Sequence, residues 1–156
     1  TYGYLEHMPH HNPAGGHVAV GGTIYEAGAY PAEFRGKYIF ANLLSHDAYV
    51  ADLKPTGSTF ETDVTGQFLN SNDTWFAPSD LTLGPDGAIY IADWCDKRTA
   101  HPDPDAEWDR SNGRIYRVVT DSMTPVRPFD IRKMSTHELT ALLNHPNKWF
   151  VRRALV

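Results

Sequence analysis

The sequence has a single cysteine, no long apolar run and no block of lysine or arginine, and each absence removes a class of function. One cysteine, Cys95, cannot close an internal disulfide. No C-x-x-C or C-x-x-C-H is present, so neither a zinc ribbon nor a covalently attached haem is expected from these residues. No stretch approaches the roughly 20 apolar residues that a membrane-spanning helix needs. Thr1 opens neither a charged nor an apolar leader, so the chain is expected to carry no address. Its 14 Lys and Arg are scattered among 19 Asp and Glu, which argues against a nucleic-acid surface. The serines form no G-x-S-x-G elbow and no glycine-rich phosphate loop follows a strand, so acyl transfer and nucleotide binding have no support.

What is present is the material of a folded domain: 156 residues, 41% apolar and 21% charged. Residues 1–20 are rich in His, Gly and Pro without either structural period, and read as an incoming loop. Residues 21–119 then alternate strand-formers with turn residues. Strands are predicted at Gly22–Glu26, Lys37–Asn42, Ala48–Leu53, Thr59–Thr65, Phe76–Leu83, Ala88–Asp93 and Arg114–Val119. Turns fall at Arg35-Gly36, Pro55-Thr56-Gly57, Pro85-Asp86-Gly87 and Asn112-Gly113.

The middle section aligns with itself. "GKYIFANLLSHDAYVADL" matches "GAIYIADWCD…NGRIYRVV" as strand, polar end, loop, strand, with Asn42 paired to Asp93 about fifty residues apart. A competing match of "YVADL" with "YIADW" covers five letters only. The longer match gives two units of propeller-blade size, each with an inner strand that ends in a polar residue.

Residues 120–134 are a proline-containing connector, and residues 135–156 turn helical. Ser135 with Glu138 makes a capping box, Met134 is placed to act as its staple, and Leu139, Leu142 and Leu143 follow at helical spacing. His145-Pro146-Asn147 then restarts the helix into Trp149, Val151 and Ala154. A helix hairpin of this kind looks like the first repeat of an α-solenoid, and the chain is expected to be a piece of a longer protein.

The order "GGHVAVGGTIYEAGAYPAEFRGKYIFAN", "NDTWFAPSDLTLGPDGAIYIADWCDKR", "WDRSNGRIYRV" and the "HPN.W.RR" helix pair resembles the large membrane-bound dehydrogenase-type proteins of planctomycetes and their relatives. In those proteins a propeller similar to glucose/sorbosone dehydrogenases precedes HEAT-like repeats. The resemblance runs from about Gly15 to Val156. It implies a mainly β fold, the C-terminal segment of a six-bladed β-propeller with about two blades, followed by a short HEAT-like hairpin. It also implies a quinoprotein-type oxidation of a sugar or alcohol, with pyrroloquinoline quinone (PQQ) and calcium as cofactors and a cytochrome c as acceptor. A periplasmic or membrane-associated extracytoplasmic location follows from the resemblance alone. Cys95 stands where relatives commonly carry Tyr.

In a propeller, polar residues at inner-strand ends face a shared cavity. The candidate site is therefore His17 and Asp93 as catalytic groups, Asp80, Asp93 and Asp96 as hard-cation ligands, and Asn42, Arg114 and Trp94 as cofactor contacts. Each has a structural alternative. Asp80 can cap a turn, Asp93 can pair with Arg98 or Arg114, Asp96 can be a solvated loop residue, and Trp94, with Trp75, Phe76 and Tyr116, can be packing. Arg117 is expected to face away from Arg114 and to form an ion pair. His7, His10 and His11 fit no strong zinc pattern. The polar excursion from His101 through Asp103, Asp105, Glu107, Trp108 and Asp109 lacks the glycine and distant glutamate of an EF-hand loop. Two other readings stay open: a non-catalytic propeller and HEAT-like scaffold needing the remainder of the propeller or another chain, and a calcium-dependent lactonase-like hydrolase.

Overall fold

A computed structural model describes residues 18–97, 111–123 and 129–156. All seven predicted strands form, with shifted ends: β1 (Ala19–Ile24), β2 (Tyr38–Asn42), β3 (Asp47–Thr56), β4 (Thr59–Asn70), β5 (Pro78–Leu83), β6 (Ile89–Asp93) and β7 (Arg114–Val118). They make two antiparallel sheets, one in the order β1-β2-β3-β4 and one in the order β5-β6-β7. Two short helices follow, α1 (Thr136–Leu142) and α2 (Lys148–Ala154). None of the described helices is long and apolar enough to cross a membrane.

Register explains the faces. In the second sheet Leu81, Ile91 and Tyr116 sit opposite one another, as do Leu83, Ile89 and Val118, so one face is apolar. That face packs on Ile39, Ala41, Ala48 and Val50 of the first sheet, with Tyr25 and Phe76 completing the core. Phe76 meets Tyr116 edge to face at 5.5 Å between centroids. The opposite face of the second sheet carries Thr82, Tyr90, Ile115 and Arg117.

The strands that end in Asn42 and Asp93 are not the inner edges of their sheets. Each is flanked on both sides, and the edges that meet between the sheets are β1 and β5. Alternating apolar residues look the same on an edge strand and on its neighbour, so sequence pattern does not separate the two. Gly21 permits the approach: its φ is +60°, and a Cβ there would lie 2.6 Å from the Leu81 nitrogen.

Two tyrosines join the sheets. Tyr25 and Tyr30 stack at 4.6 Å, and both are buried. The Tyr25 hydroxyl accepts from the Ala29 and Tyr30 N–H groups and donates to the Gly87 carbonyl. The Tyr30 hydroxyl accepts from the Ile89 N–H at 2.8 Å and donates to the Val118 carbonyl at 2.7 Å. It stands in the ladder where those two groups would otherwise bond each other. Burial pushes both hydroxyls above the ordinary tyrosine range, so they remain proton donors.

The turn from Gly84 to Gly87 is fixed by Asp86. Its carboxylate accepts from the Ala88 N–H at 3.1 Å, the Tyr90 hydroxyl at 3.1 Å and Arg117 Nε at 2.5 Å. Burial pushes this carboxyl up, but the bonds from Ala88, Arg117 and Tyr90 together outweigh it and hold the group below the usual carboxylate value. Arg117 thus makes the ion pair expected of it.

The helices rest on this same turn. Asn147, buried and capping α2 through the Trp149 N–H, donates to the Gly84 and Pro85 carbonyls at 3.0 and 3.1 Å. The Lys148 N–H bonds the Glu26 carbonyl, and Phe150 stacks on Phe129 at 4.9 Å. The Ser135–Glu138 capping box forms as predicted. Residues 1–17 and 98–110, with His7, His10, His11 and His17 in the one and Arg98 and the 101–109 excursion in the other, lie outside the described residues.

Two predictions follow from these contacts. Tyr30→Phe, which strands the Ile89 N–H and the Val118 carbonyl, is expected to cost about 1–3 kcal/mol in urea unfolding; a loss below about 0.5 kcal/mol would mean that β6 and β7 close the gap by themselves. The depressed Asp86 value means that its stabilisation is present above the unfolded carboxyl value of about 4 and is lost as pH falls through the folded one. Unfolding of Asp86→Asn beside the parent chain should therefore show a gap of about 1–3 kcal/mol at pH 7 that shrinks below about pH 4. A gap independent of pH would show that the charge is not the stabilising element.

Candidate functional site

The described site candidates fall at one end of the two sheets, but not in one cavity, and His17 lies outside the described residues. Asn42 and Asp93 hold equivalent places. Each ends the second strand of its sheet, and each sits opposite the first residue of the next strand, Asp47 and Arg114 respectively. Both are buried. Asn42 Oδ1 accepts from the Leu44 N–H at 3.1 Å and the Ser45 N–H at 3.4 Å. Asp93 Oδ1 accepts from the Cys95 N–H at 2.8 Å and the Ala77 N–H at 2.9 Å. The same device, a side-chain oxygen closing a turn onto the N–H two residues on, starts both connections.

The carboxylates proposed as cation ligands are separated. Asp80 pairs with Ala92, one residue before Asp93, so its side chain lies on the opposite face of the sheet. It is exposed, and its Oδ1 accepts from the Leu81 N–H. Asp96 is buried rather than a solvated loop residue. Among the described residues no three His, Cys, Asp or Glu side chains are grouped to hold a metal ion.

Arg114 shares the Asp93 face of β7 and is exposed. Its guanidinium lies against Tyr116, with Cys95 and Asp93 nearby, and these hold it charged above its usual value. Trp94 is 61% exposed, so it is not the packing residue that its bulk suggests. The strand has ended at Asp93, and the Trp94 N–H bonds the Ala77 carbonyl while the ring points to solvent. Cys95 is buried, with φ +56°.

Some polar contacts carry no sequence motif. His46, at φ +60°, donates from Nδ1 to the Phe76 carbonyl at 2.6 Å and ties the first sheet to the approach to β5. The acceptor is a carbonyl, so Nδ1 holds the hydrogen. At the other end of the sheets a cleft of about 270 Å³ opens between the Gly84–Gly87 turn and α2, lined by Ala29, Asp86, His145, Asn147 and Phe150. Its two titratable groups are engaged: Asp86 as above, and His145 Nδ1 by the Asn147 N–H at 3.0 Å.

Residues 6–122 match a family model described as a domain of unknown function, DUF7133. The chain belongs to that family. The DUF7133 span takes in every strand of both sheets and ends before the helices. No curated protein and no solved structure matches the chain.

The equivalence of Asn42 and Asp93 makes a sharp prediction for the DUF7133 sheets. An amide oxygen does in one sheet what a carboxylate oxygen does in the other. Asp93→Asn should therefore stay within about 1 kcal/mol of the parent stability, whereas Asp93→Ala, which leaves two buried N–H groups unmet, should lose about 2–4 kcal/mol. Equal losses from both variants in a denaturant titration would show that Asp93 acts through its charge.

Proposed function

We propose that the two sheets are neighbouring blades of a β-propeller and that the segment works as a binding or scaffolding module, with the helices set rigidly against it. Three features support the blade reading. The strand orders β1-β2-β3 and β5-β6-β7 repeat, the edges β1 and β5 meet, and the face of one sheet packs on the face of the other. The observation that carries the module reading is the use made of Asn42 and Asp93. Their oxygens accept from loop N–H groups, which is a structural task repeated in both sheets.

One observation favours a second reading, quinoprotein-type oxidation of a sugar or alcohol. Trp94 and Arg114 are both exposed at the same end of the second sheet, and an aromatic face with a planar cation suits an anionic quinone such as PQQ. The calcium that would accompany it does not fit the residues proposed for it. Asp80 faces away from Asp93, and one oxygen of Asp93 already accepts two main-chain bonds. The lactonase reading meets the same obstacle.

Titration of PQQ into the protein with calcium, followed by quinone absorbance, separates the two readings. The module reading expects no saturable change. Saturable binding that Trp94→Ala or Arg114→Ala weakens tenfold or more would replace it with the quinoprotein reading, and with the extracytoplasmic location that accompanies it.

A further inference from the structure

Among the described residues the second sheet has three strands where the first has four. β7 follows β6 as β3 follows β2, and β3 is covered along its length by β4. Among the described residues no strand covers β7. The described residues after Val118 do not turn back to do so. After Val118 it bends, the Met123 N–H bonding the Thr120 carbonyl, and Met123 packs on the core.

The open side of β7 can be identified. Tyr30 bridges the Ile89 N–H and the Val118 carbonyl, so Val118, and with it Tyr116 and Arg114, direct their main-chain groups towards β6. Those of Ile115 and Arg117 point the other way. Beside its two arginines this edge shows apolar side chains, Ile115 at 75% exposed and Val119 at 52%. Between β7 and the end of β4 lies a groove of about 320 Å³ lined by Leu69, Phe76, Tyr116 and Val118.

Charge indicates what fits. Arg114–Val118 contains two arginines and no acid. Asp86 already holds Nε of Arg117, whereas Arg114, set against Tyr116 with Asp93 nearby, keeps an exposed guanidinium. The covered strand of the first sheet supplies the precedent: β4 sets Glu61 opposite Lys54, and its Asp63 reaches Lys54 at 3.5 Å.

We propose that β7 is a docking edge for an extended peptide strand that pairs antiparallel with it, placing a carboxylate opposite Arg114 and an aliphatic side chain opposite Ile115. Main-chain bonds to Ile115 and Arg117 supply the attachment, and the alternating side chains supply the choice of partner. This inference rests on sheet geometry and is independent of the function proposed above.

The probe is a fluorescein-labelled peptide of the β4 sequence Thr59–Asn70 carrying Asn70→Asp. In β4 Leu69 faces Ala48 and residue 70 faces Asp47, the counterparts of Ile115 and Arg114. Anisotropy with the full chain should show saturable binding. A peptide with Asn70→Lys should bind about three- to tenfold more weakly, and Arg114→Glu in the protein should recover much of that loss. Amide hydrogen exchange should slow at Ile115 and Arg117 when peptide is bound. Ile115→Lys, a change at an exposed position, should abolish binding while leaving the melting transition in place. Absence of saturable binding, or binding that leaves those two amides unprotected, overturns the proposal. So does a concentration-dependent dimer that protects the same amides without peptide, because the edge would then serve a second copy.

Discussion

The fold depends on a hydroxyl standing where a main-chain bond would be. Tyr30 separates the Ile89 N–H from the Val118 carbonyl and satisfies both, so the β6–β7 ladder is complete only with a side chain from the loop after β1. Tyr25, stacked on it, does the same for the Gly84–Gly87 turn through the Gly87 carbonyl. The sheets are thus joined by directional bonds as well as by the apolar layer between them. Apolar contact alone tolerates sliding, and hydrogen bonds of fixed geometry do not.

The elements of the fold were legible because turns are chemically marked. Pro85-Asp86-Gly87 and the glycines at 36 and 57 stand where the chain must adopt conformations that other residues resist, and strands lie between them. The start of β1 was hidden because Ala19 and Val20 fell within the stretch read as an incoming loop, and Gly21 and Gly22 follow them in a bulged edge strand close to β5. The helix pair was legible in its caps. Its single buried side chain was not among the residues singled out: Phe150 is buried, while Leu143, which completes the periodic pattern, is exposed. Periodicity identifies a helix face without saying what that face meets.

The candidate site was legible as positions and less so as roles. Self-alignment paired Asn42 with Asp93, and the two do occupy equivalent places with equivalent hydrogen bonds. Their task, closing a turn, is local and leaves the same trace in sequence as a ligand would. Asp80 and Asp93 are 13 residues apart on a hairpin, and only the bulge between Pro78 and Asp80 decides which face each takes. A one-residue shift of that kind exchanges faces and is invisible in composition. Trp94 and Asp96 exchange the expected exposures for a related reason: the strand ends between core and loop, and alternation stops there.

The join between sheets and helices is made with main-chain atoms on one side. Asn147 recognises the carbonyls of Gly84 and Pro85, and Lys148 the carbonyl of Glu26, groups that any residue provides. The helices therefore read the backbone of that turn, whose shape Asp86 and the glycines at 84 and 87 set, and not the surface side chains around it. A change in the shape of the turn is not tolerated, because it would move both carbonyls at once. Selection at this join is expected to act on backbone conformation and on one asparagine, leaving the surface around it open to the acquisition of new contacts.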